Sequence, residues 1–528
     1  MFTIIFCWVI VVIAIIFIGK LFFQNIQWYE SFWMGLVITI AVLQIWSIFL
    51  PVNIYALITV LTMGLLSLSL VFRKNKFPKI KKIKDWVVGN RIFIFATCLT
   101  FIVVSYYASQ PVGWDDSLLY HLNAVKWGKL YSVVPGLANL HSRLGFNSSF
   151  FLFASMLDNW LIDRSSHIAL SILAIVLSIE YIWIFIKSND RSLKLFCLFT
   201  MPLIFYSIAY REIIASLSPD FAVTVIILAT SIQFLKKEKS SNLIAGFLSI
   251  LLITVKFTVV PFSIFVLIYV FYMHRDFFVR ILSGCILLIV PFLIRNIYLS
   301  GWPLYPLPLF KISVDWAMPP SQVDGLYTVI KTWAKYPGTE WTKYIDATFW
   351  EWFPVWYQSN QSSFEIKILA FSFILVLMFP FLKIVNKKYL FRNKKLILLC
   401  IASFISLIYI LFTAPDLRFG AIFVWIFFAS VLSLYFRIFK WNHNIKFLAI
   451  IATIVFLIFI SWPVRFDNEP ILRSIRWEQP WPTKNVNGIL MPVKLGFCGN
   501  SDLPCTPEEN KIKERVFGDI SKGFMPAN

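Results

Sequence analysis

Side chains able to do chemistry crowd into one stretch of this sequence. Asp115 and Asp116 are adjacent, His121 lies five residues past Asp116, and His141 and Arg143 follow in the same segment. A carboxylate partly withdrawn from water has a raised pKa and becomes a better general base, unless a cation or metal offsets the effect. The alternative is that Asp115 and Asp116 cap the amphipathic stretch from Ser117 to Leu130. Asp-Asp with His121 and His141 is too loose a pattern to establish a metal site. The cofactor is therefore left open, with a divalent cation such as Mg or Mn as the candidate. Farther along, Arg211, Lys256, Arg295 and Arg418 stand at the ends of apolar runs, and Asp220 joins them. Taken singly, such a cation snorkels to the membrane edge. Converging on the carboxylate pair, the same cations would hold a phosphate-linked substrate and stabilise phosphate as a leaving group.

The elements that must position these residues are membrane helices. The chain has 528 residues, 59% hydrophobic and only 14% charged, a composition that excludes disorder, a secreted disulfide scaffold and an ordinary soluble enzyme. A helical span needs about 20 mostly apolar residues. Such runs occur near 2–19, 32–50, 52–72, 91–109, 166–186, 195–210, 220–235, 242–255, 257–273, 278–298, 364–382, 396–413, 419–436 and 446–463. The expectation is an all-α polytopic transmembrane protein of about 12 to 14 helices. Residues 242–273 are its weakest part, because Lys256 interrupts them and each half is short, as in a broken or re-entrant hairpin.

Basic residues set the sidedness. With the Arg73–Lys84 break placed in the cytoplasm, the alternate breaks hold 25 of the 48 Lys and Arg, against five acids including Glu30. That surplus accounts for 20 of the net charge of +21, so the charge reports orientation and contact with anionic lipid headgroups. No basic domain lies outside the membrane-edge loops, which argues against nucleic acid. The first apolar run has no basic residue before it, which favours a retained helix over a cleaved leader.

This topology leaves three large extracytoplasmic pieces: 110–165, 299–363 and a tail from 464 to 528. The second holds Trp302, Trp316, Trp333, Trp341, Trp350, Trp352 and Trp356, a third of the 21 tryptophans, as an interfacial belt or as flat faces for sugars and isoprenoids. In the tail, Cys498 and Cys505 pair if that side is oxidising. The other five cysteines fall inside spans as packing residues. No P-loop, dinucleotide-binding glycine pattern or zincin motif occurs, so a lipid-linked donor or an ion gradient is a better energy source than a soluble nucleotide.

Two blocks of the first loop, WDDSLLYHLNAVKW (Trp114–Trp127) and VPGLANLHSRLGFNSSFF (Val134–Phe151), resemble an uncharacterised bacterial family of GT-C-like membrane proteins. Later segments, Thr254–Thr258, Arg295–Pro306, Asp315–Pro319, Ala414–Phe419 and Phe497–Pro507, are similar to that family too. An acidic residue in the first large extracytoplasmic loop is the hallmark of the GT-C glycosyltransferases. The resemblance implies that fold, with Asp116 at the family's acidic position and Asp115 and Leu118 departing from its pattern. It also implies a polyprenyl-phosphate-linked sugar donor and a glycan, lipid or protein acceptor.

The expectation is an inverting transferase in the inner (cytoplasmic) membrane, its active site facing the periplasm or exterior. Asp116, or else Asp115, takes the acceptor proton. Lys256, Arg295, Arg418, Arg143 and Arg211 bind phosphate, Asp220 lies beside them, and His121 and His141 position the acceptor. A polysaccharide polymerase or ligase, and a transporter or flippase of lipid-linked sugars, are the alternatives.

Overall fold

The computed structural model describes residues 1–23, 26–74, 80–112, 115–158, 165–209, 213–336, 341–381, 393–438 and 482–527, apart from 487, 494–495 and 509–511. The expected span at 446–463 and Arg211 lie outside the described residues.

The chain opens with α1 (Phe2–Lys20), α2 (Trp28–Phe49), α3 (Ile54–Lys74), the short α4 (Ile80–Gly89) and α5 (Arg91–Ala108). The first loop folds into α6 (Leu122–Leu130), α7 (Leu137–Leu140) and α8 (Ser149–Leu157). Then come α9 (Ala169–Lys187), α10 (Arg191–Ala209), α11 (Pro219–Leu235), α12 (Lys239–Val255), α13 (Val260–Met273) and α14 (Phe278–Ser300). The second loop supplies α15 (Pro320–Lys335) and α16 (Phe349–Asn360), and α17 (Phe364–Met378), α18 (Lys394–Thr413) and α19 (Leu417–Ile438) complete the bundle.

Ten of the described helices are long and apolar enough to cross a membrane, and α11, α12 and α13 are shorter apolar helices. The protein is thus mostly helical and polytopic in character, and thirteen of the expected runs coincide with described helices. The interruption at Lys256 is a turn between two helices of 17 and 14 residues. An ion pair between Lys239 and Asp276 closes the other end of that hairpin. Its helices rise only ~26 and ~21 Å, short of the ~30 Å hydrocarbon core.

Close packing begins at the first pair. A Cβ on Gly19 would stand 1.9 Å from the Ser31 carbonyl oxygen, and one on Gly35 would stand 1.9 Å from that of Ile15, so α1 and α2 touch backbone to backbone. Gln27 and Glu30 form a reciprocal capping box that starts α2. Every residue of α8 is buried, and α11 and α12 are buried at nearly every position.

The tail adds what the all-α expectation did not include. Two antiparallel hairpins, Thr483–Val486 with Ile489–Pro492 and Ile512–Glu514 with Phe524–Pro526, lie in it, and Cys498 is disulfide-bonded to Cys505. This tail clamps the first loop. Gly499 N–H donates to the Leu118 carbonyl (2.8 Å), Phe524 N–H to that of Pro135 (3.0 Å) and Lys126 Nζ to those of Asn500 and Ser501 (2.9 and 2.7 Å). The second loop braces it from another side, with Tyr305 OH on the Ser142 carbonyl (2.7 Å) and Asn139 Nδ2 on that of Trp316 (2.9 Å).

Candidate active site

Asp116 stands at the N-cap position of a π-helical turn, Ser117–His121, but its side chain makes no capping hydrogen bond. Single π-turns recur at functional sites because the extra residue swings a side chain out of the helical register. The carboxylate is gripped by guanidinium groups. Arg143 Nη1 is 2.9 Å from Asp116 Oδ1, and Arg418 Nη1 is 2.9 Å from Oδ2. Asp115 is exposed and takes part in no ion pair among the described residues. The geometry thus separates the two neighbouring acids that sequence alone could not.

Each partner is held by local structure. Arg143 sits in a 3-10 turn, Ser142–Gly145, fixed through the Ser142 carbonyl and Tyr305. Arg418 opens α19, where Asp416 Oδ1 accepts its backbone N–H (2.8 Å) and Oδ2 meets its Nε (3.3 Å). Pro219 starts α11 and puts Asp220 in the first turn, a favourable place for an acid near the positive helix end. Asp220 pairs with Lys256, which the α12–α13 turn presents from extended backbone. Phe419 joins the two pairs, its ring 3.8 Å from Lys256 Nζ and 5.2 Å from Arg418 Cζ.

Three cations and three carboxylates therefore meet at one end of the bundle: Arg143, Arg418 and Lys256 with Asp116, Asp220 and Asp416. Arg143 and Arg418 side chains remain 37% and 38% exposed, so an incoming anion can reach them. Burial pushes the Asp116 carboxyl up, but His121, Arg418 and Arg143 override it, and the net shift is below the ordinary carboxylate value. The resting carboxylate is ionised and doubly paired, hence a weaker base than an unpaired one. Among the described residues no three His, Cys, Asp or Glu side chains are grouped so as to hold a metal ion.

The two histidines lie beneath this cluster. His121 is 2% exposed, its Nδ1 3.1 Å from Ser117 Oγ and its ring edge-on to Tyr120 at 4.3 Å. His141 is 3% exposed, with Nε2 3.4 Å from Glu508 Oε1. Burial pushes each imidazole pKa down to about 4, so both are neutral at pH 7. Their partners are Ser117 and Tyr120 for His121 and Glu508 for His141. Glu508 also accepts from Ser142 N–H (3.0 Å) and Oγ (2.5 Å), which ties the tail to the turn carrying Arg143. No sequence signal pointed to Glu508, which is 366 residues from Ser142.

Arg295 stands apart from the cluster. Its Nη1 donates to Ser47 Oγ (2.7 Å) and its Nε to Asn147 Oδ1 (3.1 Å), and no acid pairs with it among the described residues. Of the second-loop tryptophans, Trp302 and Trp356 are buried and bond the Met318 and Pro415 carbonyls, whereas Trp350 is 80% exposed.

Residues 1–425 match the family model described as a domain of unknown function, DUF8201. The chain belongs to the DUF8201 family. The match spans every member of the ion cluster from Asp116 to Arg418, and the Glu508 clamp lies beyond it. Neither the curated proteins nor the solved structures contain a match to this DUF8201 member.

Proposed function

We propose that the protein is a GT-C type glycosyltransferase that moves a sugar from a polyprenyl-phosphate carrier to an acceptor hydroxyl at the extracytoplasmic membrane face. The observation that carries this reading is Asp116 held between two accessible guanidinium groups, Arg143 and Arg418. The family resemblance of the first loop, the membrane spans and the absence of a nucleotide-binding motif support it.

The pairing suggests how the base is released. A lipid-linked phosphate competes with Asp116 for Arg418 and Arg143, and Lys256 beside Phe419 offers a third positive charge. As the guanidinium groups turn to the phosphate, Asp116 loses its counter-ions and its pKa rises toward that of a useful base. The acceptor oxygen then attacks the anomeric carbon while its proton passes to Asp116. The bond from that carbon to the phosphate oxygen breaks, and its electron pair leaves on the polyprenyl phosphate, stabilised by the same cations. Attack opposite the leaving group inverts the anomeric configuration.

The test is incubation of the protein in membranes with a panel of polyprenyl-phosphate sugars and acceptors, read by mass spectrometry. Sugar transfer by the wild type that disappears in Asp116→Asn supports the proposal. Undiminished transfer in that variant removes Asp116 from the reaction.

A further inference from the structure

Among the described residues Arg295 is a cation without a countercharge. Near the end of α14, only 8% exposed, it spends two of its N–H groups on the neutral acceptors Ser47 and Asn147 and leaves Nη2 unused. It lines a cavity of about 40 Å³ together with Trp127, Tyr131, Phe146, Asn147 and Ser148. Two more donors there are idle: Trp127 Nε1 and Ser148 Oγ are buried and make no hydrogen bond among the described residues. Indole N–H and guanidinium can only donate. Asn147 turns its amide N–H to the Phe292 carbonyl (3.0 Å) and its oxygen to Arg295, so no acid is presented by this wall.

We infer that this cavity is an anion site, taking an oxyanion group of carboxylate size. Water supplies acceptors for the neutral donors but no charge to balance a buried guanidinium. The volume is about three times what one water requires, room for the three non-hydrogen atoms of a carboxylate group. Planar carboxylates match guanidinium geometry, and Trp127 and Ser148, which line the same cavity, add two idle donors. Both α14 and α2, which carries Ser47, end here, so the group arrives either on a soluble molecule or on a lipid headgroup at the membrane edge. Phe146 lines the cavity and packs its ring on Tyr120 at 5.9 Å, which places the site beside the Asp116 cluster and separate from it. The inference does not depend on glycosyl transfer.

Acetate is the probe. In detergent at constant ionic strength, rising acetate in place of chloride raises the thermal midpoint of the wild type by ~2 °C or more and saturates, as binding to the native state requires. Arg295→Gln shows no such rise. Trp127→Phe keeps an aromatic side chain and loses one donor, and its half-saturating acetate concentration increases several-fold. In phosphatidylcholine nanodiscs, a retained acetate response assigns the site to soluble carboxylates, and its competitive loss on adding phosphatidylserine assigns it to a headgroup. Equal shifts in wild type and Arg295→Gln, or no shift in the wild type, overturn the inference. If Arg295→Gln does not fold, an unchanged half-saturation in Trp127→Phe overturns it.

Discussion

The two ends of α11 carry the same kinds of charge in opposite circumstances. At its start, Asp220 and Lys256 join Asp116, Arg143 and Arg418, with side chains 19% to 38% exposed. Just past its other end, Lys236 sits between Glu30 (3.0 Å) and Glu180 (3.4 Å), with the three side chains 8%, 7% and 0% exposed. Trp33 Nε1 and Gln233 Nε2 complete Glu180 at 2.7 and 2.8 Å, and Ser241 Oγ completes Glu30 at 2.9 Å. The closed cluster joins α2, α9, α11 and α12. The open cluster has guanidinium edges facing outward. Exposure, more than composition, separates a structural ionic network from one that can exchange partners with a ligand.

The largest effect expected from this contrast is on stability at the closed end. Lys236→Met leaves two buried carboxylates uncompensated and costs ~3–5 kcal/mol. Thermal unfolding in detergent checks it; a midpoint within one degree of the wild type would show that the closed cluster is not a structural tie. At the open end, Arg418→Gln should leave the midpoint nearly unchanged, because exposed ion pairs contribute ~1 kcal/mol or less. It should raise the KM for the lipid donor by ~10-fold or more, through loss of a charge-assisted contact. A large stability loss without a donor effect would erase the distinction between the two ends. The smaller Glu508→Gln change keeps the shape of the clamp and removes its charge, with an expected cost of ~1 kcal/mol.

The pH dependence gives a finer comparison. His121 and His141 ionise near 4 in the folded protein and near 6.5 when unfolded, so the unfolded chain binds more protons between those values. Their contribution is full above pH 6.5 and is lost as pH falls toward 4. The thermal midpoint should accordingly be level above pH 7 and decline across that window. The groups facing His121 are Asp116, Asp220, Lys256 and Arg143, and those facing His141 are Glu508 and Arg143. Transfer should show no inflection near pH 6.5, and one there would return a histidine to the chemistry.

Helix runs were legible because each needs only its own apolar residues, and thirteen coincide with described helices. Lys256 was legible as an interruption, since a cation in an apolar run must reach water or a partner. Glu30 is counted among the charges of the basic loops, yet it is buried against Lys236, because a loop's charge content does not reveal which helix packs over it. The cluster around Asp116 was legible only as a set of candidates. Its pairing depends on Asp116 and Arg418, 302 residues apart, meeting in space. Arg295, grouped with that cluster by residue type, belongs to a different cavity for the same reason.

The central claim is that Asp116, and not its exposed neighbour Asp115, receives the proton in transfer. Comparing transfer rates of Asp116→Asn and Asp115→Asn, each with saturating donor, tests it most directly. The account predicts a loss of ~10²–10⁴-fold for Asp116→Asn and a rate within about threefold of wild type for Asp115→Asn. Equal losses in both, or full activity in Asp116→Asn, would contradict it.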